Sequence, residues 1–131
     1  MSGRAIAWII LALVAMQRVG SPRSTQIAYA TFLGRWPDNL TASIGLANSH
    51  YALGELDRAE AVLRRAAERQ PDSVIVLNNL AQTLSDQGRN DEALPLIERA
   101  LGLQGPERQS PFAAAAAETR QLILQRLGKS Q

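Results

Sequence analysis

The chain has 131 residues, 46% of them apolar and 5% aromatic, with a formal net charge of +2 and a pI of about 9.7. That is enough for one domain whose core is Ala, Leu, Ile and Val, a composition that favours helices. With no cysteine and a single histidine, His50, disulfides, thiol catalysis and cysteine-ligated zinc are excluded, and a His-rich metal site or a Ser-His-Asp triad is hard to assemble.

A period runs through the glycines. Gly20, Gly54 and Gly88 stand 34 residues apart, as do Pro37 and Pro71, Asp38 and Asp72, Ala47 and Ala81, Ala59 and Ala93, and Ala66 and Ala100. A fixed spacing of this length marks a repeat architecture. Repeats set 14 residues ahead of each glycine start at Ile6, Leu40 and Val74.

The first element in chain order is ambiguous. Ala5 to Met16 is an unbroken apolar run of 12 residues after Arg4. As a membrane span it is short, rising about 18 Å against a hydrocarbon core of about 30 Å. As a signal peptide it has a charged start and an apolar centre, but its best cleavage site, Val19-Gly20-Ser21, is poor. As the first helix of a repeat it fits the period, yet it is apolar on every side and must be buried. In each case Trp8, Ile9, Ile10, Leu11 and Val14 form a contact surface that needs cover: lipid, a second copy of the chain, or a domain outside it. A cytoplasmic location follows from the helix reading, a membrane-associated or periplasmic one from the signal or anchor reading.

Ser21-Pro22 is a sound helix start, with serine as cap and proline at the first position. Residues 1–39 then read as a degenerate first repeat. The second repeat, 40–73, places helices over Leu40 to Leu53 and Asp57 to Gln70. The third, 74–107, places them over Val74 to Gln87 and Asp91 to Leu103. Gly54 and Gly88 supply the left-handed residue that stops a helix. Asp57 and Asp91 stand at cap or first-turn positions, Arg64, Arg65 and Arg69 suit the far end of their helix, and Glu60–Arg64 is a favourable four-residue pair. Alanines at 47, 59, 66, 81, 93 and 100 allow close helix crossings, and Leu46, Leu63, Leu80, Leu84 and Ile97 fill the seam. Pro95 falls near the first turn, where proline costs least. In 108–131, Ser110-Pro111 opens a capping helix that Gly128 closes, covering the last apolar face with Phe112, Leu122, Ile123, Leu124 and Leu127.

These positions resemble the tetratricopeptide repeat family. The pattern is carried by Ser43, Leu46, Ala47, His50, Ala59, Leu63 and Pro71 in one repeat. In the next it is carried by Leu77, Leu80, Ala81, Leu84, Ala93 and Ile97, with Pro106 one place late. The resemblance implies an all-α, right-handed solenoid of antiparallel helix pairs with a C-terminal capping helix. Residues 30–60 (ATFLGRWPDNLTASIGLANSHYALGELDRAE) are further similar to the helical tail of bacterial papain-like, bacteriocin-processing cysteine peptidases, without the catalytic domain. No catalytic, metal or cofactor-binding residue follows from either likeness.

The expected function is a non-enzymatic interaction module. In this family first helices line a concave groove, which here would present Thr41, Ile44, Asn48 and Tyr51, then Ile75, Asn78, Gln82 and Ser85, with Asn79 adjacent and Phe112 and Arg120 at the border. Amides pair with a peptide backbone as donor and acceptor. The expected partner is a protein or peptide, with self-association or membrane contact arising through residues 5–16. Basic residues interleave with acids rather than forming a stripe, so no nucleic acid is expected. Two alternatives stand beside this reading: the detached docking or regulatory tail of a cysteine peptidase, and a membrane-tethered or exported scaffold. His50 occupies a position of large core residues and reads as structural.

Overall fold

The computed structural model describes residues 21–103 and 111–129. Six helices make up its regular structure: α1 Pro22–Arg35, α2 Leu40–Ala52, α3 Leu56–Arg69, α4 Val74–Asp86, α5 Asn90–Leu103 and α6 Pro111–Lys129. Each packs on its neighbours in sequence, and α4 also meets α6. That is the contact pattern of a solenoid, in which units touch only adjacent units.

Local chemistry sets the helix ends. Ser21 caps α1 through Ser24 N at 3.4 Å, with Pro22 in the first turn. Asn39 caps α2 through Ala42 N at 2.8 Å, and Ser73 caps α4 through Val76 N at 3.4 Å. Helices α2 and α4 both stop one residue earlier than expected, at Ala52 and Asp86. The stop is the same in each. Gly54 (φ +74°) and Gly88 (φ +81°) turn the chain left-handed. Glu55 N then reaches His50 O, and Arg89 N reaches Leu84 O, both at 2.9 Å. This is the Schellman closure, and glycine adopts it without a Cβ penalty.

The six periodic alanines are buried, and Leu63, Leu77, Leu80, Leu84 and Ile97 fill the space beside them at 2% exposure or less. Leu46 is the exception among the expected seam residues. It is half-buried, lining a cleft of about 210 Å³ with Ala30, Leu33 and Val62. Asp57 and Asp91 lie in the first turns of α3 and α5. Pro95 sits one turn deeper than its cheapest position, on the exposed side of α5.

Packing strengthens along the chain. The buried residue of α1 is Gln26, whereas α4 buries seven residues, four of them large or medium aliphatics. Helix α6 covers the last face with Ala113, Ala116, Thr119 and Ile123, with Leu127 packed alongside. Phe112 and Leu124 are instead exposed, at 51% and 39%. Helix α6 also continues through Gly128 to Lys129 rather than closing there.

Among the described residues no helix is long and apolar enough to cross a membrane. The run at 5–16, with Trp8, Ile9, Ile10, Leu11 and Val14, lies outside the described residues, as do Gly20, Pro106 and Ser110.

Candidate functional site

The first helices of the two best repeats, α2 and α4, bring four of the expected binding residues together. Asn79 Nδ2 donates to Asn48 Oδ1 at 3.2 Å, and Gln82 Nε2 donates to Tyr51 OH at 3.4 Å. Asn48, Tyr51, Asn79 and Gln82 rim a cleft of about 190 Å³ whose lining also includes Ala47, Leu63 and Thr83, all buried. An apolar floor thus lies under an amide rim. Thr83 Oγ1 is satisfied by Asn79 O at 2.8 Å.

The other expected residues fall elsewhere. Ile44 is half-buried and packs on the core. Asn78 is half-buried. Its Nδ2 donates to Asn79 Oδ1 at 3.4 Å, while its Oδ1 is buried without a hydrogen-bond partner. Arg120 is not brought to this cluster, because its Nε is bound to Glu98 of α5 at 2.6 Å. The capping helix reaches α4 instead through Arg126, whose Nη1 meets Asp86 Oδ1 at 2.7 Å and Ser85 Oγ at 2.8 Å. Tyr51 OH donates to the other oxygen of Asp86. That bond, then burial and the charge of Asp86, push the tyrosine hydroxyl above its usual pKa of 10.0. Tyr51, Asp86 and Arg126 therefore tie α2, α4 and α6 across one end of the face. Sequence reasoning missed Asp86 and Arg126, although Asp86 is the one acid on either first helix, and such isolation was a readable signal.

His50 is buried, as a structural residue should be, but among polar partners. Its Nδ1 is 2.7 Å from Glu55 Oε2, and Gln26 Nε2 is 2.9 Å from that same oxygen. Gln26 Nε2 also lies 2.7 Å from His50 Nδ1, so imidazole, carboxylate and amide meet in one triangle that joins α1 to the end of α2. The His50 bond leads in holding the Glu55 carboxyl below its ordinary value. Gln26 and the charges of Arg23 and Arg58 add to it, against the opposing effect of burial. This explains why α3 has no side-chain cap: Glu55, at the cap position, is engaged elsewhere.

A second polar cluster joins α3 to α5. Arg89 binds Glu60 at 2.7 Å and Glu92 at 2.8 Å, and Arg64 binds Glu60 at 2.7 Å and Glu92 at 3.2 Å. Two acids and two guanidiniums alternate in a closed, neutral ring. Among the described residues no group of three potential metal ligands converges.

Helix pairs on a 34-residue period, the first helix of each closed by a left-handed glycine, agree with the comparison by sequence family. The profile of the tetratricopeptide repeat matches residues 38–104. The chain belongs to the tetratricopeptide repeat family. No curated protein matches the sequence. Among solved structures, a MamA mutant is similar with a TM-score of 0.67 at 24% identity, over 91% of this chain and 65% of that one. A structure of MamA MSR-1 is similar with a TM-score of 0.60 at 22% identity, over 90% of this chain and 74% of that one. The chain therefore spans just under two thirds of the first of these relatives. At such identities the likeness is one of fold, and it is the fold of a tetratricopeptide solenoid.

Proposed function

We propose that this tetratricopeptide protein is a non-catalytic scaffold that holds an extended segment of a partner protein along the face of α2 and α4. Residues 40–73 and 74–107 are its two regular repeats, α1 is the second helix of a degenerate first repeat, and 108–131 is the cap. The observation that carries the reading is the α2–α4 cleft. Amides from two successive first helices meet there at hydrogen-bond distance over an apolar floor. Solenoids of this kind use their extended faces for binding. A side-chain amide offers a donor and an acceptor to a peptide group, and a strand-like ligand exposes both.

The test is affinity capture from the native cell with the full chain and with Asn48→Ala/Gln82→Ala. Both positions lie at the rim, so the variant's unfolding free energy should stay within about 1 kcal/mol of wild type. A partner that is captured by wild type and lost with the folded variant supports the reading. Partner sets that are identical for the two proteins overturn it.

A further inference from the structure

Charge is divided unevenly between the two kinds of helix. Helices α2 and α4 carry no lysine or arginine and one acid, Asp86, whereas α3 alone carries three acids and four arginines. Asp86 is itself neutralised, with Arg126 at 2.7 Å on one oxygen and the Tyr51 hydroxyl on the other. The imidazole of His50 is turned into the α1–α2 packing, toward Glu55 and Gln26. The cleft between α2 and α4 therefore offers a ligand amides, one tyrosine ring and an apolar floor, and no uncompensated charge.

We infer that the α2–α4 cleft selects an extended segment that is itself uncharged, with a small apolar side chain seated on Leu63 and flanking peptide groups held by Asn48, Asn79 and Gln82. The inference rests on the binding-face reading above and narrows it to a ligand class. A charged side chain brought here would lose hydration and find no counter-charge, a cost that neutral residues avoid. An amphipathic helix hides its own backbone groups, so the rim amides would go unanswered. Asp86 acts as the internal counter-ion: by occupying Arg126 and Tyr51, it withdraws from the face the cation that would otherwise attract acidic segments.

The experiment uses the purified full chain, fluorescently labelled, against two arrays of end-capped twelve-residue peptides. One array is built from Gly, Ser, Asn, Leu and Val; the other also contains Asp, Glu, Lys and Arg. Retained peptides are measured in solution at 0.05 and 0.5 M salt. Wild type should retain members of the first array, lose them with Asn48→Ala/Gln82→Ala, and change affinity less than about twofold with salt, because nothing in the contact is screened. Asp86→Asn, which leaves Arg126 and Tyr51 in place, should gain about five- to tenfold for acidic peptides, and adding Arg126→Gln should remove that gain. Selection of acidic or basic peptides by wild type, with affinity falling steeply in salt, would overturn the ligand class while leaving the binding face intact. Retention that the rim variant does not alter would overturn the binding face and the ligand class together.

Discussion

The substitution Gly45→Ala probes how α1 is attached. Gly45 lies mid-way along α2, where replacing glycine by alanine in a free helix gains about 1 kcal/mol. Here a Cβ would land within 2.6 Å of ring carbons Cε1 and Cε2 of Tyr29 on α1, a separation that packed atoms do not tolerate. The ring ends a half-buried side chain, so it can swing outward rather than force the helices apart. Doing so gives up its burial. Half of a tyrosine's contact area is roughly 100 Å², worth about 2.5 kcal/mol. Set against the propensity gain, the net effect is a destabilisation of about 1.5 kcal/mol. It should be local, because α1 touches the rest of the described protein chiefly through α2. Denaturant unfolding combined with residue-resolved hydrogen exchange reads both quantities. Protection should fall in 22–35 and hold in 74–103. In a Tyr29→Ala background the sign should reverse, with Gly45→Ala now stabilising by about 1 kcal/mol, since the clash is gone and the propensity remains. Stabilisation by Gly45→Ala in both backgrounds would refute the helix crossing. Protection lost evenly across α4 and α5 would refute the local attachment of α1.

Three further outcomes follow from the same packing. Ala81→Trp places an indole at a position with 0% exposure, and should cost more than about 3 kcal/mol and melt α4 and α5 together; a folded variant of near wild-type stability, read by circular dichroism, would contradict the register. Burial pushes the Glu60 carboxyl up, but bonds from Arg64, Gln87 and Arg89 outweigh it and hold it below 4.5, and Glu92 is likewise held down first by its bond from Arg89. A carboxylate depressed in the folded state stabilises fully above its unfolded pKa and loses that contribution as pH falls through the folded one. The unfolding free energy should therefore drop as pH is lowered below 4.5, and that of Glu60→Gln should drop less steeply while starting about 1 kcal/mol lower at neutral pH; parallel curves would show that the ring contributes nothing. His50→Ala leaves Gln26 and Glu55 without the imidazole between them, so exchange in 22–35 should quicken severalfold with little change in α5, and unchanged exchange would mean that α1 is held by its apolar contacts alone.

The period in glycine, proline and alanine made the solenoid legible, because each residue type marks a position where backbone geometry permits few alternatives. Gly54 and Gly88 must be left-handed, and the alanines must leave room at a crossing. Candidate binding positions were less legible. Asn48, Tyr51, Asn79 and Gln82 follow from helical phase alone, and the structure brings them together. Arg120 was expected only at the border of this face, and no facing position of the repeat pattern singled it out. In the structure Arg120 pairs with Glu98, and Arg126 is the capping-helix residue that reaches α4. Glu55 and Gln26 were hidden for another reason. A turn acid reads as solvated until the buried imidazole that it supports is known.

The two helices that form the cleft are not equally secure, and this bears on how binding is felt. Helix α4 is anchored by Val76, Leu77, Leu80 and Leu84 at 2% exposure or less, while the buried residues of α2 are Ala42, Ala47, Ser49 and His50. Small and polar residues contribute little burial energy, so α2 and the α1 that rests on it form the softer end of the solenoid. Asn48 and Tyr51 stand on that softer helix; Asn79 and Gln82 stand on the firm one. A peptide held across the cleft as proposed would join them and bind only the conformation in which both are formed. Its free energy therefore adds to the stability of α2, by about 2.7 kcal/mol at a hundredfold excess over Kd. Hydrogen exchange should slow in 40–52 and in 22–35 when ligand is present, and hardly at all in 74–86, where seven residues are already buried. Slowing confined to α4 would mean that the ligand sits on one helix and that the cleft is not the site.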